Sequence, residues 1–212
     1  SEAARAALEA AAEELRRFRH TAAAALSERV ERELAALNFK DARFEIRFEE
    51  QSEYTEQGGE SAEFYIRTNP GEAVKPLRQI ASGGELSRVM LALRAVLAAN
   101  DRVETLIFDE IDAGISGRTA QLVSEKLMEI SRSRQVLCIT HLPQLAAMAD
   151  HHYLIEKASD GSRTETEIRE ITGEALYLDL GPLIGGAEIT DGVLKTAEEM
   201  KQLAEKRKEG MR

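Results

Sequence analysis

The second half of the sequence alternates regularly between helical segments and short apolar strands. Apolar residues recur every three or four positions across residues 82–97, which predicts a helix, and an apolar strand is predicted at 103–108. Such alternation favours an α/β fold with a largely parallel sheet whose faces are covered by helices. The further elements predicted are helices at 118–130 and 143–149, strands at 136–140 and 153–156, and an edge strand at 164–171 after a turn at 159–161.

Residues 1–38 contain no Gly or Pro and carry an apolar stripe with a mean spacing of about 3.7 residues, which predicts one long, nearly straight helix. The helix could lie on its own domain or could form the last turns of a coiled-coil arm. Periodicity slightly favours the first alternative, because a tight left-handed coiled coil needs a spacing near 3.5. The stripe consists of Leu15, Phe18, Ala22, Leu26, Val30, Leu34 and Leu37.

Two further segments have clear local signals. Residues 43–49 alternate strictly between polar and apolar, and with 64–66 they predict two half-buried strands joined by a loose connection. Asn69-Pro70-Gly71 then breaks the chain. A last helix is predicted after a cap at Thr190 or Asp191.

Length and charge limit what the chain can do. With 212 residues, 43% of them hydrophobic, it can bury one sizeable core, so we expect an arm at 1–38 and one domain at 39–212. A net charge of −10 opposes nonspecific binding to nucleic acid, which depends on clustered Lys and Arg. The basic segment 201–212 is the best local candidate for a DNA contact, although a solvated, frayed helix end is the favoured alternative.

Several signals point to the cytoplasm. The single cysteine, Cys138, lies in an apolar run and is interpreted as a core thiol in a reducing compartment. No signal peptide and no apolar run of about 18 residues is present. Since the sequence starts at Ser1 inside a helical pattern, we expect it to have been cut from a longer chain. No zinc site is expected, because the histidines lack the spacing of metal ligands.

The run Ser82-Gly83-Gly84-Glu85 precedes the predicted helix at 82–97 and has two interpretations. S-x-x-E is a capping box, which starts a helix without any ligand. The same geometry lets backbone N–H groups at a helix N-terminus bind a phosphate, with the serine hydroxyl as a further donor. Both can hold at once.

Asp109 and Glu110 follow a buried strand, at the end where open α/β sheets bind ligands. Such a pair is often only a solvated turn or helix cap. In an ATPase, the first carboxylate would hold Mg²⁺ and the second would orient and deprotonate the attacking water. Asp112 and residues 113–117 would form a loop that crosses between subunits, or a simple connection with Ser116 as N-cap.

His141 follows the next predicted strand, and a single histidine in a turn is often structural or incidental. As part of the whole set it would contact the γ-phosphate. A capping loop and helix, a strand ending in Asp-Glu, a second helix and a strand ending in His form an ordered pattern that unrelated folds rarely produce.

This pattern resembles the C-terminal half of the head of RecN, the bacterial double-strand-break repair ATPase related to structural-maintenance-of-chromosomes (SMC) proteins. The runs Gly-Ile-Ser-Gly and Thr-His-Leu-Pro-Gln separate that family from general cassette transporters and from chromosome-maintenance heads. The likeness extends from the helical arm to about Ile189. The residues that carry it are 81–93, 108–117 and 138–150.

The resemblance implies a C-terminal lobe of an ABC-type head, with residues 1–38 as the returning coiled-coil arm. It implies that Ser82, Gly83 and Gly84, with Glu85 in the same motif, meet an ATP bound by a second head. Asp109, Glu110 and His141 would serve the ATP of their own head, with Mg²⁺ on Asp109, and Asp112 would lie in the loop between heads. The implied partners are the N-terminal half of the head, a second head and DNA, in the cytoplasm at the nucleoid.

The sequence departs from a whole head in one respect, since it contains no G-x-x-x-x-G-K-[ST] phosphate loop. ATP hydrolysis is therefore expected only when the N-terminal half completes the head. Two alternatives remain at this point: a non-catalytic interaction module, and the head half of another chromosome-maintenance ATPase.

Overall fold

The computed structural model describes residues 1–97, 102–159, 164–186 and 188–210. The chain forms two compact units, Ser1–Arg102 and Val103–Arg212. The predicted turn at 159–161 falls partly outside the described residues. The domain division at residue 38 stays a prediction.

The first unit combines a long helix with an antiparallel sheet. Its elements are α1 (Glu2–Ala36), β1 (Arg43–Thr55), β2 (Gly58–Arg67), β3 (Lys75–Pro76), a 3₁₀ turn (Leu77–Gln79) and α2 (Gly83–Leu97), with strand order β1-β2-β3. The predicted helix at the N-terminus is therefore confirmed. The predicted loose connection between the first two strands is wrong, because β1 and β2 extend into one hairpin in which Thr55 pairs with Gly58.

Helix α1 packs on the rest of this unit, against α2, β1 and β2. Val30 and Leu34 are fully buried, whereas Phe18 on the same stripe is 73% exposed. The side chain of Glu31 accepts a hydrogen bond from Phe44 N at 3.0 Å, and Arg29 donates to Val96 O at 3.2 Å. The end of α1 thus lies on its own domain. Its assignment as a coiled-coil arm stays a prediction.

Across its described residues, the second unit contains a short parallel sheet, an antiparallel hairpin and four helices. Its elements are β4 (Thr105–Phe108), α3 (Gly117–Ser131), β5 (Gln135–Cys138), α4 (Pro143–Met148), β6 (His152–Ser159), β7 (Thr164–Ile171), α5 (Glu174–Gly185) and α6 (Asp191–Gly210). The predicted α/β class is confirmed. Among the described residues, parallel pairing joins β4 to β5, whereas β6 pairs antiparallel with β7 instead of extending that sheet.

Helices α4, α5 and α6 pack around a small apolar core of Ala147, Leu176, Leu180 and Ala197. Thr190, one of the two predicted caps, starts α6: its Oγ1 accepts a hydrogen bond from Val193 N at 3.3 Å. The helix α5 was not predicted from the sequence.

Lys201, Arg207 and Lys208 of α6 bind their own domain, so the expected frayed end is not what forms in the described part of this segment. Lys201 Nζ donates to Ala149 O at 2.6 Å, and Lys208 Nζ donates to Asp150 Oδ1 at 2.8 Å. Arg207 Nη1 donates to Glu125 Oε1 at 2.6 Å. These internal partners leave less positive charge for DNA; residues 211 and 212 of the predicted segment lie outside the described part. No described helix is long and apolar enough to cross a membrane.

Candidate functional site

The parallel pair β4–β5 sets the position of the candidate site. The strands run in register from Thr105 opposite Gln135 to Phe108 opposite Cys138, and Ile139 N continues the ladder to Phe108 O at 3.0 Å. Because parallel strands end at the same edge of a sheet, the segments that follow them leave side by side. The structure thereby brings the loop after β4 next to the loop after β5.

Asp109 and Glu110 form the start of the loop after β4, and both are exposed. The backbone N–H of Glu110 donates to Asp109 Oδ1 at 3.0 Å, and Glu110 O accepts a bond from Ala113 N at 3.1 Å. Glu110 has φ +56°, in the left-handed region that non-glycine residues seldom occupy. Such backbone strain persists where the surroundings impose it and is concentrated at functional sites.

Asp112 is buried, with 3% of its surface exposed, and it bridges the two loops. Its Oδ2 accepts hydrogen bonds from Thr140 Oγ1 at 2.6 Å and from His141 N at 2.9 Å. His141 Nδ1 lies 3.1 Å from the same oxygen. Three groups of the loop after β5 therefore converge on one carboxylate oxygen.

The His141 side chain is 71% exposed, although its Nδ1 lies close to the buried carboxylate of Asp112. The loop is further fixed by Leu142 N, which donates to Thr140 Oγ1 at 3.0 Å, and by Pro143 at the start of α4. The His141 ring therefore faces solvent, while hydrogen bonds fix the backbone of its loop.

Burial, together with the nearby carboxylates of Asp112 and Asp109, raises the pKa of the Cys138 thiol to about 12. The thiol stays protonated at neutral pH and is a poor nucleophile. This agrees with the prediction of an ordinary core cysteine.

Gly114, in the connection from Asp112 to α3, and Gly117, the first residue of α3, both have positive φ, at +73° and +51°. Ser116 occupies the N-cap position of α3, as one alternative predicted, but its hydroxyl makes no capping hydrogen bond. The alternative role of this loop between subunits stays a prediction.

Ser82, Gly83, Gly84 and Glu85 lie in the first unit at the start of α2. Ser82 Oγ accepts a hydrogen bond from Glu85 N at 3.3 Å, which is the serine half of a capping box. The Glu85 carboxylate instead accepts a bond from the hydroxyl of buried Thr68 at 3.2 Å. The serine part of the predicted capping box is therefore present at the start of α2.

Within the described residues, no group of three or more His, Cys, Asp or Glu side chains could hold a metal ion. Mg²⁺ is usually held by only one or two carboxylates, with substrate phosphates and water completing its shell. The exposed Asp109 at the sheet edge fits that requirement.

Asp109, Glu110, Asp112 and His141 are thus gathered in the second unit, whereas the serine-glycine motif belongs to the first. Sequence reasoning missed Thr140, which binds Asp112 and supports the loop of His141. Its place at the end of a strand, directly before His141, was the available signal. It also missed Thr68 as the partner of Glu85, and no sequence signal links those two positions.

Three curated proteins of similar sequence are each named DNA repair protein RecN. RecN of Halalkalibacterium halodurans is 43% identical over 201 residues, covering 93% of this chain and 36% of the relative. RecN of Bacillus subtilis is 39% identical over 203 residues, covering 89% and 35%. RecN of Vibrio cholerae is 36% identical over 192 residues, covering 90% and 35%.

The chain belongs to the RecN family. It spans about a third of the length of these relatives, which are described as DNA repair proteins, and corresponds to a C-terminal part of RecN. The resemblance stated from the sequence motifs is confirmed. No family model matches the chain.

Solved SMC heads share the fold. The Smc head domain with a coiled coil and joint from Pyrococcus yayanosii matches 77% of this chain and 29% of that chain, with a TM-score of 0.57 and 21% identity. The Smc head with an extended coiled coil bound to the C-terminal domain of ScpA from Pyrococcus furiosus matches 72% and 36%, with a TM-score of 0.50 and 20% identity. The expected SMC-type fold is confirmed.

Proposed function

We propose that this chain is the C-terminal half of an ATPase head in a DNA double-strand-break repair protein. ATP would lie between two such heads, and its binding and hydrolysis would control their dimerisation and the tethering of DNA ends. The observation that carries the proposal is the register of β4 and β5, which gathers Asp109, Glu110 and His141 at one sheet edge. Membership of the RecN family supports the DNA repair context.

Each carboxylate has a distinct part in the proposed reaction. Asp109 would hold Mg²⁺, which when bound neutralises charge on the phosphates. Glu110 would orient the attacking water and accept its proton as the water oxygen bonds to the γ-phosphorus and the bond from that phosphorus to the bridging oxygen breaks, releasing ADP and phosphate. His141 would contact the transferred phosphate through its exposed ring.

The motif at Ser82 would act on a different nucleotide. Backbone N–H groups of Gly83 and Gly84 and the hydroxyl of Ser82 would meet the phosphates of ATP held by the second head. The Glu85 carboxylate would keep the loop in place through its bond to Thr68. One chain would therefore contribute to two composite sites of a symmetric dimer.

The N-terminal half of the head is the first proposed partner, because it would supply the phosphate loop. An exposed apolar sheet face supports this: Ile107 is 69%, Leu137 44% and Ile139 54% exposed. Parallel sheets are normally covered on both faces. DNA would be engaged by the full-length protein, and the setting would be the cytoplasm.

The test of catalysis is Glu110→Gln in a head completed with its N-terminal half. Loss of the general base should lower kcat about 10²- to 10⁴-fold with ATP affinity retained. Steady-state phosphate release and equilibrium binding of labelled ATP measure both quantities. A normal rate in the variant would contradict the role of Glu110. A completed wild-type head that binds no ATP would instead favour a non-catalytic interaction module.

The test of dimerisation uses the same Glu110→Gln head, in which bound ATP persists. ATP should convert it to a dimer, as measured by light scattering. Adding Ser82→Arg should abolish the dimer by placing a bulky side chain at the second phosphate site, with ATP binding to the single head unchanged. Arg94→Ala, at the other end of α2, is the control and should leave the dimer intact. Equal dimer content with and without Ser82→Arg would contradict the proposed interface.

A further inference from the structure

Asp112 stands out among the carboxylates of the sheet edge because it is buried and three polar groups lie around one of its oxygens. Thr140 Oγ1 and His141 N donate hydrogen bonds to Oδ2 at 2.6 and 2.9 Å, and His141 Nδ1 lies within ion-pair distance of the same oxygen, at 3.1 Å. All three come from two consecutive residues. The carboxylate therefore orients both the backbone and the ring of the segment that it faces.

The chemistry of the pair determines which ring nitrogen carries hydrogen. An ionised carboxylate has no hydrogen to donate, so a nitrogen lone pair 3.1 Å away would be repelled by it, whereas an Nδ1–H of His141 is attracted to it. If the ring turned over, a carbon would replace Nδ1 and this electrostatic attraction would be lost. The contact therefore selects both the ring orientation and the tautomer, and it leaves Nε2 as the outward nitrogen.

From this geometry we infer that Asp112 is a positioning residue, which fixes the orientation and Nδ1–H tautomer of His141 so that Nε2 meets the phosphate. The catalytic part of this inference rests on the proposed function, whereas the tautomer does not. This role within one chain differs from a contact between the Asp112 carboxylate and a second head, because only 3% of the Asp112 side chain is exposed.

The tautomer is measured on this chain by long-range ¹H–¹⁵N correlation NMR of ¹⁵N-histidine-labelled protein. The four histidines are assigned with single variants, His141→Gln among them. We expect neutral His141 to carry hydrogen on Nδ1, and Asp112→Ala to shift it to the Nε2–H form that free imidazole prefers. A wild-type His141 with hydrogen on Nε2 would overturn the inference even if Asp112→Ala failed to fold.

A matched control lies in the same spectrum. His151 Nδ1 is 2.8 Å from Glu170 Oε1 in an exposed pair. Glu170→Ala should change the signals of His151 alone, and Asp112→Ala should change those of His141 alone. Circular dichroism verifies that the variants are folded. An unchanged His141 tautomer in folded Asp112→Ala would refute the positioning role.

A second experiment measures ATP hydrolysis by the head completed with its N-terminal half. Asp112→Asn keeps the shape but weakens the bond, so kcat should fall about 10- to 100-fold while KM changes much less. In a His141→Ala background the same substitution should have little further effect. Equal losses in both backgrounds would show that Asp112 acts by another route. An inactive wild-type head would contradict the proposed function. The NMR experiment would still show whether Asp112 fixes the tautomer of His141.

Discussion

Glu110 combines an exposed carboxylate with a strained backbone, and the sequence did not reveal the strain. Its φ of +56° follows from the tight turn in which its N–H bonds Asp109 and its C=O bonds Ala113. Sequence reasoning could place an acidic pair after a strand, because the apolar run and the pair are both local signals. The left-handed conformation depends on bonds made by the loop as a whole.

The strain predicts an opposition between stability and function at this residue. Glu110→Gly should make the chain about 0.5 to 1 kcal/mol more stable than Glu110→Ala, since glycine adopts positive φ without a Cβ clash. The alanine variant is the matched control, because both variants lack the carboxylate. Denaturant unfolding measures the difference. An alanine variant of equal or greater stability would show that the turn is unstrained.

At the scale of elements, α5 shows why local signals fail. Gly181, Pro182 and Gly185 give this segment little helical signal, because glycine and proline disfavour helix interiors. Tertiary packing overrides that preference: Leu180 is fully buried against α4 and α6. A Cβ on Gly185 would lie 2.7 Å from Val193 Cγ2, so glycine here permits the close approach of α5 to α6.

The helix α6 also secures the end of α4. The ammonium groups of Lys201 and Lys208 bond the carbonyl of Ala149 directly after α4, where positive charge complements the helix dipole. Burial, followed by these two cations, lowers the pKa of His152 to about 4, so its ring is neutral at neutral pH. The sequence displayed the basic residues of α6 but not their acceptors, which lie more than fifty residues away along the chain.

Lys208→Met should therefore lower the free energy of unfolding by about 1 to 2 kcal/mol at pH 7, because it removes a charged donor and keeps the apolar stem. The pKa of His152 should rise toward its ordinary value once one nearby cation is gone. Denaturant unfolding and an NMR titration of His152 measure these effects. Lys206→Met, exposed on the same helix turn, is the control and should change stability by less than about 0.5 kcal/mol. Equal effects of the two substitutions would show that the bonds of Lys208 add nothing.

The stabilisation that Lys208 provides should depend on pH. The hydrogen bond from Lys208 to Asp150 lowers the pKa of the Asp150 carboxyl below its ordinary value. A carboxyl group with a depressed folded-state pKa stabilises the fold above its unfolded-state pKa, and this stabilisation is lost as pH falls through the folded-state value. The difference between wild type and Lys208→Met should accordingly shrink in acid.

At the scale of the molecule, the order of motifs predicted more than any single motif could. A capped helix, a strand ending in Asp109-Glu110 and a strand ending before His141 imposed an α/β arrangement with a common ligand edge, since parallel strands end together. The turn at 159–161 predicted that β7 follows β6 as an edge strand, but the sequence did not show that these two strands form a sheet of their own. The alternation of strands with helices favoured placing β6 in the same parallel sheet as β4 and β5.

The β4–β5 sheet is covered on one face only, and this has a consequence for assembly. Leu106 and Phe108 point to the covered face and are 7% exposed each, whereas Ile107 between them is 69% exposed. If the N-terminal half of the head covers this second face, Ile107 lies in the interface. A charge there would have to be buried without a partner, which is costly.

Ile107→Lys should consequently weaken binding of the separately produced N-terminal half at least about tenfold, as expected for a central interface residue. The chain alone should keep its stability within about 0.5 kcal/mol, because the side chain is exposed before assembly. Leu203→Lys is the control: Leu203 is 60% exposed on α6, and its substitution should leave the affinity unchanged. Isothermal titration calorimetry gives the affinities, and denaturant unfolding of each chain gives the stabilities. Wild-type affinity in Ile107→Lys would mean that the partner binds elsewhere and that the exposed sheet face has another occupant.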